Sequence, residues 1–482
     1  MFDFSRQNGK LVKIIGEENY AFLSQSINYL ASNLLIRGMQ FLTIPIMTAM
    51  LTPSEYGILG IYTSIVSIFI TIIGLNFDSA TVRFFYEKPE EYDPFFKSVN
   101  LFVTCTGMLM IIIIFIFRNQ LASYFGVEQN IILYATVTPY FNNCYNMFLS
   151  TLQAKKDSSK YMKVTMIQRM IALSLTLLLI YLLPSEKYYG KIYAEIIVCL
   201  VTFLLLFKRF FVGATIKWEY VSYAAKIAIP LIPHVLSSFI LSYFARIVIN
   251  NMNGYEDAGI FSFAEDIGLV MLIVSMSFNK SWTPLFYQKM NDADYDGINK
   301  QTNQIIRISI MLAVALLFFA KEMVLLMSNE NYYAALSVVP IIIIGKAFGP
   351  LYTIYSHFSD YYKKTIYISI ATLIVGALNI VLNYLLIPEF GIIAGAFNSM
   401  ICSVMLFICH YIVSQFMLHV RIIPLYPLLK NYSWLFLAGI LYFIGLYYMN
   451  DMSFLAARFL FLLICIYYLF FQNVFFTRKK CI

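Results

Sequence analysis

Long stretches of this chain carry no charge. Ile65–Leu75, Leu109–Phe117 and Ile171–Leu183 are apolar runs broken only by single Ser, Thr or Gly residues, and none alternates with a period of two. A membrane-spanning helix needs about 20 mainly apolar residues, whereas a barrel strand needs about 10 of alternating polarity. Runs of the first kind recur along the whole sequence, and they predict about fourteen spans with short connections. Charged residues make up 12% of the 482, against roughly 25% in soluble proteins. That is too little polar material to coat two to four soluble domains, and too much apolar material for a disordered chain. The fold class is therefore an all-α polytopic membrane protein.

Basic residues set the orientation, because they gather on the cytoplasmic side of short loops. Arg83, Lys88 and Lys97, the group Lys155, Lys156, Lys160 and Lys163, and the stretch Lys208–Lys226 all fall on one side, as do Arg6, Lys10, Lys13 and Arg478, Lys479, Lys480 at the ends. The opposite loops hold only Arg118, Lys187, Lys191 and Lys321. An even number of spans with both termini cytoplasmic is expected. The mixed charge of residues 1–20 does not fit a cleavable signal. Most of the 7 Cys lie within spans, where they pack as small apolar residues, so neither a disulfide framework nor a metal site is expected.

The sequence also repeats itself weakly at a spacing of roughly 200 residues. Glu55-Tyr56-Gly57 matches Asp257-Ala258-Gly259, Phe84-Phe85 matches Phe286-Tyr287, Pro139 matches Pro340, and Gly190 matches Gly391. Two six-helix bundles in parallel repeat are expected, over residues 1–210 and 211–424, with two added helices in 425–482. Such a duplication is the architecture of carriers that expose a central site to alternate sides.

Charges inside spans are costly, so they mark function or pairing. Arg37 and Lys346 lie too deep to reach the interface easily, and they are the candidate cations for an anionic cargo; a structural ion pair is the alternative. Asp78 and Arg83, five residues apart at the cytoplasmic end of the second span, are candidates for the cavity mouth. Glu265 and Asp266 are the deepest carboxylates; they suit coupling to H+ or Na+, or neutralisation of a cation such as Arg246. Arg169, Arg246 and Arg458, nearer helix ends, are expected to snorkel. Pro45, Pro139, Pro230, Pro233, Pro340 and Pro350 are expected to break spans 1, 4, 7 and 10 into cavity walls.

Two stretches resemble a known family. Leu51-Thr52-Pro53-Ser54-Glu55-Tyr56-Gly57, followed by Arg83-Phe84, is similar to the first loop and second helix of bacterial polysaccharide-unit flippases of the Wzx type. Asn379-x3-Asn383-x2-Leu386-Ile387-Pro388-x2-Gly391, with Ala394-Gly395-Ala396, resembles their eleventh and twelfth helices. The resemblance implies membership of the multidrug/oligosaccharidyl-lipid/polysaccharide flippase superfamily and a MATE-like fold. It implies translocation of an undecaprenyl-pyrophosphate-linked oligosaccharide unit from the cytoplasmic to the outer leaflet of the bacterial inner membrane, by alternating access, for surface polysaccharide assembly. The implied partners are the lipid bilayer, the lipid-linked anionic oligosaccharide, and a polysaccharide polymerase with chain-length proteins; no cofactor and no nucleic acid are expected.

Rival readings remain. A cation-coupled MATE-type drug exporter would want acidic cavity residues, and a lipid II flippase lies close to the first reading. A membrane-embedded polymerase or glycosyltransferase would want a large outer loop or soluble domain, which these loops do not provide, so no enzymatic activity is expected. Asp292-x-Asp294-x-Asp296-Gly297 opens like a calcium loop, but Asn303 stands where a bidentate Glu is required.

Overall fold

The computed structural model describes residues 35 to 471. The expectations for the two charged ends and the start of the first span lie outside the described residues. Within them every regular element is a helix, and no strand is present. Contacts divide the described residues into two compact units, one holding residues 35–43 and 54–239, the other holding 44–53 and 240–471.

In the first unit, α1 (Leu35–Met50) leads through Thr52-Pro53 into α2 (Pro53–Gly74), and proline at a first helical position costs no backbone bond. There follow α3 (Asp78–Glu87), α4 (Tyr92–Ile116), α5 (Arg118–Phe125), α6 (Gln129–Ala154), α7 (Ser158–Leu182), α8 (Tyr188–Phe211) and α9 (Trp218–Ala228). Local chemistry sets the ends. Asp157 accepts a hydrogen bond from Lys160 N at the start of α7, and Gly126 ends α5 in the left-handed region. Glu55 accepts from Lys187 N at 2.8 Å, so the first-loop motif caps the start of α8. A Cβ at Gly190 would lie 2.6 Å from Ile180 N, so this glycine lets α8 cross α7 backbone to backbone. The family-like Phe84 is buried and stacks on Phe95 at 3.8 Å between centroids, with Tyr220 and Tyr223 against its edges. That aromatic cluster joins α3, α4 and α9.

In the second unit, α10 (Ile232–Asn253), whose residues up to Phe239 belong to the first unit, leads into α11 (Tyr255–Asn291), α12 (Tyr295–Phe318) and α13 (Ala320–Met327). Then come α14 (Val339–Lys346), α15 (Gly349–Tyr361), α16 (Ile366–Ile412), α17 (Leu425–Tyr448) and α18 (Asp451–Ile466). The end of α1 is fastened here: Thr48 donates to Met327 O at 2.6 Å, and Tyr332 donates to Leu51 O at 3.0 Å. The 47-residue α16 is two arms meeting at Gly391, whose φ of 59° and ψ of −141° suit glycine alone. Asn383 donates to Asn379 at 2.9 Å, and Asn398 donates to Asn383 at 3.0 Å, all three fully buried. The asparagines of the family-like stretch thus form a seam between antiparallel arms.

Among the described residues, 11 helices are long and apolar enough to cross a membrane, one of them the bent Ile366–Met417. This establishes the polytopic membrane class. The difference from fourteen has physical sources. α16 holds two arms, the described part of the first span is only Leu35–Met50, and α6 carries Asn142, Asn143, Asn146 and Gln153, which lower its apolarity. Prolines break two spans rather than four. Pro139 lies inside a continuous α6, and Pro45 inside α1. Pro230 falls in a short 3-10 turn before α10, while Pro340 and Pro350 start α14 and α15.

Candidate functional site

The polar segment of α6 has a purpose within the first unit. α2 ends at Gly74, and Leu75 and Asn76 both take positive φ, 52° and 55°, before α3 begins at Asp78. Two successive non-glycine residues in that region are strained, and such strain persists where the surroundings hold it. The break opens a recess of about 490 Å³, its open side included, lined by Thr71, Asn76, Asp78, Asn143 and Asn146. Its other walls are apolar, among them Met147, Val235 and Phe239. Asn143 rests against Gly74, where a Cβ would come within 2.5 Å of its Oδ1. Its Nδ2 is buried without a hydrogen-bond partner, which costs free energy unless something else supplies one. Burial raises the Asp78 carboxyl above the usual range, partly offset by the backbone N–H groups that it meets at the start of α3. The carboxylate of the expected mouth residue thus lines this cavity.

In the second unit the break between α14 and α15 places a cation. Lys346 is the last residue of the 8-residue α14, where the unpaired carbonyls of a helix end favour positive charge. Its Nζ lies 2.8 Å from Glu265 Oε2 on α11, with 8% of the Glu265 side chain exposed and 25% of Lys346. The lysine stem runs over Gly268, where a Cβ would fall 2.9 Å from Lys346 Cε and 2.6 Å from Ile342 Cγ2. Asp266, next to Glu265, faces Arg246 at 3.8 Å. Both deep carboxylates therefore have basic neighbours.

The other candidates fall differently. Arg83 pairs with Glu87 at 2.6 Å, and Glu87 also accepts from Tyr223 at 2.6 Å. This Arg83 pair is exposed, and no ion pair joins Arg83 to Asp78 among the described residues. Arg37, on α1, is half-buried and has no carboxylate partner among the described residues. Arg246 and Arg458 do not snorkel: they are 7% and 5% exposed. Arg458 grips Glu322 with both terminal nitrogens, at 2.9 and 2.7 Å, donates to Phe318 O, and lies over the Phe454 ring. Asp294, in the calcium-like stretch, caps α12 through Gly297 N at 2.9 Å and pairs with Lys289 at 2.5 Å. Those partners, Lys289 foremost, hold its carboxyl below the usual range. Thr71, Asn76, Asn143 and Asn146 were not singled out by charge. A cluster of amides in an otherwise apolar span was the signal that could have found the last two.

The family described as "Polysaccharide biosynthesis protein" matches residues 22–290, and the MatE family matches residues 230–385. Two relatives come from Haemophilus influenzae. "Lsg locus putative protein 1" is 24% identical over 272 residues, covering 55% of this chain and 66% of its own length. An "Uncharacterized membrane protein" is 23% identical over 279 residues, covering 56% of this chain and 66% of its own. The chain thus matches just under two thirds of the length of each relative. Among solved structures, the lipid II flippase MurJ in an inward closed conformation superposes with a TM-score of 0.70 at 16% identity, covering 93% of this chain and 99% of that one. An inward-facing MATE multidrug transporter gives 0.64 at 14% identity, covering 82% and 99%. A transporter of the same superfamily from Pyrococcus furiosus gives 0.57 at 15% identity, covering 84% and 98%. These likenesses establish the fold. With more than half of its length matched by one family, the chain belongs to the polysaccharide biosynthesis protein family and has the fold of MurJ and the MATE transporters.

Proposed function

We propose that the protein is a flippase for a lipid-linked oligosaccharide, carrying an undecaprenyl-pyrophosphate-linked unit from the cytoplasmic to the outer leaflet by alternating access. The observation that carries this reading is the family match over residues 22–290, joined to a fold shared along almost the whole chain with a lipid flippase. On this reading the protein works in the bacterial inner membrane with both termini cytoplasmic and supplies a polysaccharide polymerase and its chain-length proteins.

The chemistry of the cargo suits the cations. A sugar pyrophosphate loses hydration inside a protein, and fixed cations replace it. Arg37 and Lys346 are the residues proposed for that role. Lys346 already holds Glu265, so phosphate binding there is an exchange of partners. The carboxylate released by the exchange is a natural place for a proton or Na+, and Glu265 with Asp266 is the proposed coupling pair. A second reading, a cation-coupled drug exporter, is favoured by the MatE match over residues 230–385.

Gene deletion separates the two. The flippase reading expects lipid-linked sugar to accumulate in the inner leaflet and surface polysaccharide to be lost, with rescue by the intact gene. Unchanged polysaccharide in a strain without a paralogue, together with new drug sensitivity, would establish the exporter instead.

A further inference from the structure

The cavity of the first unit contains no Lys or Arg, so the charge-based account of cargo binding leaves it unused. We propose that it binds an uncharged, hydroxyl-rich ring: one saccharide residue of the cargo. The proposal rests on the flippase reading for the source of that saccharide and on the cavity itself for the chemistry.

Hydrogen-bond polarity decides among ligand classes. Asn143 and Asn146 bring amide groups to the wall of this space, and the Asn143 Nδ2 donor has no partner of its own, so an occupant that offers an acceptor suits it. A metal ion or an organic ammonium offers none. Asp78 is the one ionisable side chain in the lining; it repels a phosphate and calls for a donor. A hydroxyl group is donor and acceptor at once, and Thr71, Asn76 and Asn146 add groups of both kinds around the same space. The remaining walls, including Val103, Met147 and Phe239, match the C–H faces of a sugar ring. Gly74 keeps the donor in place, since a side chain there would push the Asn143 amide aside.

The test uses the purified full chain in detergent and saturation-transfer NMR. The probes are methyl glucoside, methyl galactoside and N-acetylglucosamine, with sodium pyrophosphate, NaCl and tetraphenylphosphonium as contrasts. Transfer to the ring protons of at least one sugar is expected. Its affinity should fall about five- to tenfold in Asn143→Ala, the loss of one hydrogen bond. Gly74→Ala should weaken the same sugar, and its normal size-exclusion profile guards against misfolding as the cause. Pyrophosphate binding should be unaltered by either substitution. Absence of transfer to every sugar overturns the proposal, as does transfer that both variants leave unchanged. Thermal stabilisation by Na+ or tetraphenylphosphonium that Asp78→Asn abolishes would make the cavity a cation site and also overturn it. A deletion strain that accumulates lipid-linked sugar while no sugar reaches the cavity would leave the flippase reading intact, so the two failures are distinguishable.

Discussion

Lys346 Nζ and Glu265 Oε2, 2.8 Å apart, join the end of a half-helix to the interior of α11. The pair explains why each charge is tolerated within a span, because removal of one partner leaves the other buried and uncompensated.

Lys346→Ala is therefore expected to destabilise the protein by about 3–5 kcal/mol, with Glu265→Gln somewhat milder because the amide still hydrogen-bonds. The double variant Lys346→Met with Glu265→Leu should recover most of that stability without recovering transport. Melting in detergent and a flipping assay in vesicles check the two halves. Full transport by the double variant would remove Lys346 from the cargo site.

Gly268→Ala adds a methyl group where Ile342 and the Lys346 stem already lie. A loss of about 1–3 kcal/mol is expected from overpacking, with transport falling further than stability because Lys346 is displaced. Thermal melting beside transport at a permissive temperature separates these effects.

Gly391→Ala forces a side chain into a conformation that only glycine adopts freely, at a cost of about 1–3 kcal/mol. Arg458→Lys should also cost stability, because a single ammonium cannot reproduce the two bonds to Glu322. Each substitution is expected to lower the melting temperature, read by thermal unfolding in detergent.

The pH response of Asp78 has a definite sign. Its carboxyl is raised by burial, so the folded chain holds this proton more tightly than the unfolded one. The stability it contributes is complete below the unfolded value near 4 and is lost as pH rises through the folded value. Asp78→Asn removes that dependence and should flatten the fall in melting temperature between acidic and neutral pH. An identical profile in wild type and variant would contradict it.

Fold class was legible because hydrophobic length and charge scarcity are local properties: nothing about α2 or α7 needs a partner to be recognised as a span. The break beside Lys346 was legible too, since Pro340 and Pro350 bracket it. Pairing was not. Arg458, near a helix end, reads as a snorkelling residue because its partner Glu322 lies 136 residues earlier, and no periodicity connects them. Pro139 misled in the other direction: tertiary packing keeps α6 continuous through it. The cavity of the first unit is not legible in the sequence because its polar groups are mainly neutral amides, whereas the cost of insertion marks charged residues.

The asparagine seam across Gly391 bears on how the chain reaches its folded state. Asn383 and Asn398 are only 15 residues apart, whereas Arg458 and Glu322 are separated by 136. Closing the short loop costs less chain entropy than closing the long one. The two arms of α16 can thus lock together as a hairpin as soon as both have entered the bilayer during synthesis, whereas the clasp on α18 must wait for nearly the whole protein. Early substitutions in the seam would be felt as failures of insertion, and substitutions in the clasp as failures of a nearly finished molecule.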